Sequence, residues 1–420
     1  MAHPRSHSRI LLADCDQMFV AVARREDPVG AGKAPLLVVG GRANSRGVVC
    51  SASYEARAYG LRAGMPISRA VRLCPGATFV PVPGRACREA HRMIRDVLHR
   101  WAPVVQAASV DEFYLDLSGT ERLYRDEPLA ETSRRIREAV RDATGLTVSI
   151  GGGTNRLIAK MAAEQAKPRP DAEPVGVLIV PPGAEAEFMS GRWLAEIPGV
   201  GPRLQASLER RGLTEVRQAL RVDRATLRQW LGAGTADWLY RRLRGQARDE
   251  VEVNPENRSM SREQTFPQDI TDDEAIRTRL LRLVRILTAE LRAEGVFTRC
   301  VTVKLRDHDF RTRQAGRTLR EPLSTDRALF DVVRQLLGSL RRVRRVPARL
   351  VGVKFSSLVP GTHPLQLSFL PPPSSSGQAV ETARDLWLAG AVDAITRKLG
   401  EEAIGPARLV RPRSGAPRSP

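Results

Sequence analysis

The sequence predicts an α+β protein with two separate β-α-β-β-α-β units and a small helical segment between them. Two observations set the units. Apolar residues alternate with period two in short runs, and helical apolar spacing separates those runs. The same order of runs occurs near residues 9–151 and again near 259–355. A third observation places the helical segment, where Gly199-Val200-Gly201 and Gly232-Ala233-Gly234 punctuate short helical patterns.

The first unit opens on Arg9-Ile10-Leu11-Leu12-Ala13, an apolar strand that ends in Asp14-Cys15-Asp16. Residues 18–84 break the pattern with several glycines and prolines and read as a small insertion. A helix follows over Ala86–Trp101, with Ala90, Met93, Ile94, Val97, Leu98 and Trp101 along one stripe. Strands at 104–109 and 112–117 meet at a turn carrying Asp111 and Glu112. A helix near 128–143 ends at Gly145, and a strand covers 147–151. This is the split βαβ arrangement, with helices on one face of an antiparallel sheet. It sets the first strand beside the hairpin, so Asp14, Asp111 and Glu112 converge. Three carboxylates there suit hard cations such as Mg²⁺, and a pair of such ions serves phosphoryl transfer. An acidic pair at a turn is by itself more often simply solvated; the second acidic stretch, Asp14-Cys15-Asp16, favours the cation reading.

Tyr54 and Arg57, three apart on a helical turn, share a face and offer a hydroxyl and a guanidinium fork to a polyphosphate; a half-buried Tyr beside a surface Arg has the same spacing. Gly151-Gly152-Gly153 before the helix Leu157–Gln165 suits a phosphate at a helix N-terminus, without the Walker pattern. Lys160 and Lys167 lie on or just after that helix, which Pro168 stops. Residues 175–243 read as helical. In them Ile197-Pro198-Gly199-Val200-Gly201 forms a hairpin whose amides approach a DNA phosphate.

Residues 244–258 make a linker. Then come a strand over Ser259–Phe266, a helix capped at Thr271-Asp272 and closed by Gly295, strands at 301–305 and 310–320, a helix from Thr325, and a last strand through Val351, Val353 and Phe355. Residues beyond 371 are Pro/Ser-rich, then weakly helical over 379–399, then basic and Pro/Arg-rich.

The chain of 420 residues carries a net charge of +20, which points to a polyanionic partner, nucleic acid before an anionic membrane. Residues 299–354 hold fifteen Lys plus Arg against five Asp plus Glu, so half of the excess falls on the second unit, where arginines on an open sheet face would follow a duplex backbone. The five cysteines (15, 50, 74, 87 and 300) form no Cys-x-x-Cys pair, which excludes a zinc ribbon and a disulfide framework. There is no apolar run of membrane-spanning length and no signal-peptide core, so a cytoplasmic location is expected.

Five motifs stand in order: Asp14-Cys15-Asp16-Gln17-Met18-Phe19, the Arg46–Arg57 stretch ending Tyr-Glu-Ala-Arg, Ser109-Val110-Asp111-Glu112, Lys160 through Lys167-Pro168, and Ile197–Gly201. Together they resemble the Y-family DNA polymerases of the DinB (DNA polymerase IV) branch over residues 8–370. The resemblance implies a right hand: a ferredoxin-like palm (1–17 and 85–174), small fingers (18–84), a helix-hairpin-helix thumb (175–243), a little finger (259–360), and a clamp-binding peptide and tail (361–420).

Carried over by position, Asp14, Asp111 and Glu112 would hold two Mg²⁺ ions, with the Cys15 backbone carbonyl as a further ligand. Phe19 would be the steric gate against a 2′-hydroxyl. Tyr54, Arg57 and Lys167 would bind the dNTP, and Gly199, Val200 and Gly201 the DNA. Gln366-Leu367-Ser368-Phe369-Leu370 would dock on the sliding clamp, the β subunit of the replicative polymerase, although it ends Phe-Leu where the family more often has Leu-Phe. Ala23, Cys15 and Gln17 also depart from the commoner residues.

The implied protein is a monomeric, low-fidelity translesion polymerase without proofreading, acting on primer–template DNA in damage tolerance and untargeted mutagenesis. Two rivals remain: a silent DNA-binding accessory, distinguished by tight duplex binding without extension, and a nucleotidyl cyclase, distinguished by template-independent use of one nucleotide.

Overall fold

Six consecutive buried residues, Ile10–Cys15, form β1, the strand on which the first unit is assembled. The computed structural model of the protein describes residues 8–168, 175–247, 250–252, 257–361, 381–400 and 403–405. They fall into two compact units, Met1–Pro255 and Glu256–Pro420.

After β1, Gln17 adopts a left-handed backbone (φ 48°) and turns the chain into α1 (Met18–Glu26). The insertion is a three-stranded sheet of β2 (Leu37–Gly40), β3 (Ser51–Ala52) and, beyond α2 (Tyr54–Arg57) and α3 (Ile67–Leu73), β4 (Thr78–Pro81), in the order β3-β2-β4. α1 joins this insertion to the main sheet. Its Val20 and Ala23 pack on Leu37 and Val39, while Met18 and Val22 enter the core below β1.

The chain returns through α4 (Gly84–Leu98), β5 (Val104–Ala107), β6 (Glu112–Asp116), α5 (Leu129–Thr144) and β7 (Val148–Gly153), and then α6 (Arg156–Ala166) and β8 (Val177–Ile179). The sheet order is β5-β6-β1-β7-β8, so β1 lies between the hairpin and β7 as expected. β8 was not expected, and it stands in a stretch that read as wholly helical. Period-two alternation sends Leu11, Ala13, Phe113 and Leu115 into a core with Ile94 and Val97 of α4 and Ile136 and Val140 of α5. α4 stops short of Trp101, and Met93, assigned to its apolar stripe, is exposed.

The expectation of helices on one face only is corrected. α6 covers the other face, where Ala159 and Ala163 pack on Ile10, Leu12 and Tyr114. The glycine triplet is corrected with it. Gly151–Gly153 are β7 itself rather than a phosphate loop, because α6 lies directly on them. A Cβ on Gly151 would stand 1.9 Å from the Ala163 amide nitrogen and 2.3 Å from the Ala159 carbonyl oxygen. Gly151 and Gly153 answer a helix–sheet contact too close for any side chain.

α7 (Glu185–Ser190), α8 (Pro202–Glu209), α9 (Val216–Ala219), α10 (Arg224–Leu231) and α11 (Ala233–Leu243) complete the unit. Leu194, Ile197, Leu208, Val216 and Leu239 form their core, together with Leu157, Ile158 and Met161 of α6. α6 is therefore common to the sheet and to the small helical bundle.

The second unit runs β9 (Ser259–Ile270), α12 (Asp273–Ala293), β10 (Val296–Asp307), β11 (Thr312–Leu323), α13 (Asp326–Val343) and β12 (Ala348–Pro360). Asp272 caps α12 by accepting hydrogen bonds from the amides of Glu274 and Ala275. Val301, Val303, Val351 and Val353 pack against Leu280, Val284, Leu287, Val333 and Leu337 of the two helices. The element order matches the first unit, but the strand order, β11-β10-β12-β9, does not. Here the hairpin joins the last strand, and the first strand pairs at the edge with that last strand alone.

The weakly helical stretch is α14 (Ala383–Leu399), held to this unit by charge. Arg292 donates two hydrogen bonds to Asp393, at 2.7 and 2.8 Å. Glu381 accepts from the amides of Ser324 and Thr325 at the start of α13, at 2.9 and 2.6 Å. The proposed clamp peptide, Gln366–Leu370, lies outside the described residues.

Candidate active site

Strand register brings the acidic residues together. Asp14 on β1 pairs directly with Glu112 on β6, and both project on the α6 face, the face shared with Leu12 and Tyr114. Asp111 occupies the turn just before β6, where its backbone carbonyl accepts from the Cys15 amide at 2.9 Å. The turn is tied internally by Ser109, whose hydroxyl donates to Asp111 Oδ1 at 2.5 Å and accepts from the Glu112 amide at 3.1 Å. His91 of α4 braces it from behind, with Nδ1 2.8 Å from the Val110 carbonyl oxygen and its ring 4.9 Å from that of Phe113. Neither brace was read from the sequence, since a His on a helix and a Ser in a turn carry no signal of their own.

Two lysines stand against the carboxylates. Lys160 Nζ is 2.7 Å from Glu112 Oε1. Lys167 Nζ is 2.9 Å from Asp14 Oδ2 and 2.7 Å from Glu164 Oε2. Lys167 is the residue at which α6 ends in extended backbone before Pro168. Burial pushes the Asp14 carboxyl up to about 6, against the opposing pull of Lys167, and Glu112 and Asp111 add to the rise. A desolvated carboxylate among like charges calls for cationic compensation. Among the described residues no three His, Cys, Asp or Glu form a ready-made metal cluster. The donor chemistry nonetheless fits hard divalent ions: carboxylate oxygens only, on adjacent strands, with cations already drawn to two of the three. Cys15 points into the opposite core, and its thiol is pushed far above its usual range by burial. Only its backbone is available to an ion.

Asp16, next in the chain, is a structural tie: Ser149 Oγ of β7 donates to its Oδ1 at 2.7 Å. Tyr54 and Arg57 share α2, which Ser53 caps. The Arg57 guanidinium lies 4.9 Å from the centroid of the Tyr54 ring and donates through Nε to the Ala52 carbonyl at 3.0 Å. Burial, with Asp16 adding, pushes the Tyr54 hydroxyl up to about 12, so it stays a donor at neutral pH. Tyr54, Arg57, Glu164, Lys167 and Glu196 line one cleft of about 590 Å³. Phe19, in the first turn of α1, is half-buried against the two cores that this helix joins.

In the helical bundle, Gly199 takes φ 97°, and a Cβ there would stand 2.6 Å from the Trp238 ring. The amides of Val200 and Gly201 donate to Ile197 and Gly199 carbonyls at 2.9 and 3.1 Å. The donors open to a phosphate are therefore the first-turn amides of α8, which follow Pro202.

The chain resembles known proteins over most of its length. A model of the impB/mucB/samB family matches residues 13–164, and a model of that family's C-terminal domain matches 257–369. The chain is 34% identical to a DNA polymerase IV of Caulobacter vibrioides over 95% of this chain and 94% of that one. It is 33% identical to a DNA polymerase IV of Halorhodospira halophila, over 84% and 96%. Among solved structures, a Y-family DNA polymerase chimera aligns with a TM-score of 0.72 and 26% identity, over 84% of this chain and 99% of that one. An insertion ternary complex of Dbh DNA polymerase aligns at 0.59 with the same identity and coverage.

Proposed function

We propose that this chain, which belongs to the impB/mucB/samB family and is a Y-family, DNA-directed DNA polymerase acting in translesion synthesis, adds dNTPs to a primer 3′-hydroxyl by phosphoryl transfer at Asp14, Asp111 and Glu112. The pairing of Asp14 with Glu112 across β1 and β6, beside Asp111, carries the proposal. The family is metal-dependent, and these three carboxylates with the Cys15 backbone would hold two Mg²⁺ ions. When bound, the ions supply the charge that activates the 3′-hydroxyl and neutralises the departing pyrophosphate.

The chain's own groups do the rest. Tyr54, kept protonated, donates to the triphosphate, and Arg57 faces it as a fixed fork. Lys167 exchanges its carboxylate partners for phosphate oxygens. The primer oxygen bonds to the α-phosphorus as the bridge to the β-phosphate breaks, pyrophosphate leaves with that electron pair, and the 3′-hydroxyl proton passes to solvent; holding the attacking and leaving oxygens in line lowers the barrier. First-turn amides of α8 hold a DNA phosphate, and Lys304, Arg306 and Lys354 on the open face of the second sheet follow the backbone. Fingers of three short strands with the short helices α2 and α3 would leave the nascent pair loosely checked, hence low fidelity and untargeted mutagenesis; synthesis without proofreading is proposed with them. The test is extension of a 5′-labelled primer across an abasic site with Mg²⁺ and dNTPs. Template-independent products, or excision of a mismatched 3′-end, would reject this reading.

Phe19→Ala is expected to raise ribonucleotide incorporation relative to dNTP by roughly 10–200-fold, the range one lost hydrophobic contact allows. Competition assays measure the ratio, and an unchanged ratio moves the gate elsewhere. The protein is further proposed to act as a monomer that docks on the sliding clamp through Gln366–Leu370. Replacing Leu367 and Phe369 with Ala should spare distributive synthesis and abolish stimulation by the clamp; a mutant still stimulated refutes the docking.

A further inference from the structure

The basic excess of the second unit is not concentrated where a duplex on its open sheet face would meet it. Strand alternation places Lys304, Arg306, Arg320 and Lys354 on that face, opposite buried Val303, Leu305 and Val353, and Lys304 is already paired with Glu263. Other cations serve internal pairs. Arg313 donates to buried Asp307 at 2.8 Å, and Arg344 bonds Asp307 and Asp309 at 2.9 and 2.8 Å. Arg341, itself buried, bonds Asp273 at 2.6 Å.

On the helical side lies a cavity of about 560 Å³. Arg277 of α12, Arg317 of β11, and Arg334 and Arg342 of α13 line it, with Glu274 as the one acid among its lining residues. All four guanidinium groups have a side-chain partner: Arg334 donates to Asp331 Oδ1 at 3.1 Å, and the other three are held by side chains within the lining. Arg317 donates to Gln335 Oε1 at 2.5 Å, Arg342 to Ser339 Oγ at 3.2 Å and Arg277 to Glu274 at 3.2 Å. The Nε of Arg277 is buried with no hydrogen-bond partner.

We propose that this cavity binds the phosphate backbone of a second duplex DNA segment, separate from the primer–template. Four guanidinium forks against two carboxylates, Glu274 and Asp331, leave a net positive patch that matches phosphate geometry and charge. The lining also argues for nucleic acid over protein. It holds no aromatic or aliphatic side chain, and protein interfaces depend on such anchors, whereas DNA interfaces are polar and strongly positive. The absence of aromatic rings likewise removes the stacking platform that single strands use. Arg334 and Arg342, eight residues apart on α13, are separated by about 12 Å along the helix, a span of three to four phosphates along one strand. Recognition is therefore of backbone and not of sequence.

The test uses the full chain carrying one equivalent of unlabelled primer–template, titrated with a fluorescent blunt duplex at several salt concentrations. Both arginines of α13 are exposed, so the double variant Arg334→Ala/Arg342→Ala should fold normally, and its melting curve checks this. Expected are at least about tenfold weaker capture of the second duplex and a salt slope reduced by about two, with primer extension unchanged. Unchanged capture and slope overturn the proposal. So does capture of poly-glutamate as tight as that of the duplex and equally lost in the variant, which would make the site one for an acidic protein. Failure of primer extension in the wild-type protein would reject the catalytic reading and leave this measurement intact.

Discussion

Asp111→Asn is expected to leave a folded protein that binds primer–template and extends it roughly 100–1,000-fold more slowly, the scale of loss when a preorganised charge partner leaves an active site. The three carboxylates are not equivalent. Glu112 has Lys160 and Asp14 has Lys167 as counter-charge, whereas no described cation pairs with Asp111, whose Oδ1 accepts only from Ser109. Added divalent ions are thus the natural compensation for Asp111. Asn keeps the shape of the side chain, and the bond from the Cys15 amide goes to the Asp111 backbone, so the turn should persist. Single-turnover extension and equilibrium DNA binding measured on the same preparation separate the two effects. Activity within about tenfold of wild type would remove Asp111 from the machinery.

Gly151→Ala is expected to destabilise the first unit by about 3 kcal/mol or more, beyond ordinary overpacking. The added carbon meets the backbone of α6 at Ala159 and Ala163, which no rotamer change relieves. Displacing α6 disturbs both faces it serves, the sheet and the helical bundle, and moves Lys160 with it. Gly152→Ala is the control. Its Cβ would press on the ends of the Leu11 and Ile179 side chains, at 2.6 and 2.5 Å, with the Ile10 carbonyl oxygen at an ordinary 3.5 Å, and should cost less. Denaturant midpoints compare the two variants. Equal, small effects would show that the β7 glycines are not required by packing.

What was legible in the sequence follows from local periodicity. Asp14 ends a run of alternating faces and Glu112 begins another, so their meeting needed only the right order of strands. The same logic failed at Gly151–Gly153, because glycine has no side chain to report a face, and a strand of glycines looks like a loop. It failed for Lys160 and Lys167 as well, whose partners Glu112 and Asp14 are distant in the chain and are set by where α6 crosses β1. Arginine counts overstated the open face of the second sheet. Composition does not distinguish Lys304, which faces out, from Arg313 and Arg341, which are held inside by Asp307 and Asp273. Nor does element order give strand order, as the two βαββαβ units demonstrate.

That last difference has a consequence on the ribosome. β9 is the first part of its unit to be synthesised, yet its one sheet neighbour, β12, is made last. At typical elongation rates the nascent strand waits roughly 4–16 s for a partner, with a bare hydrogen-bonding edge. Its residues 259–265, mostly polar and including Arg262 and Glu263, suit that interval, since charge on a waiting edge discourages pairing between neighbouring polysomal chains.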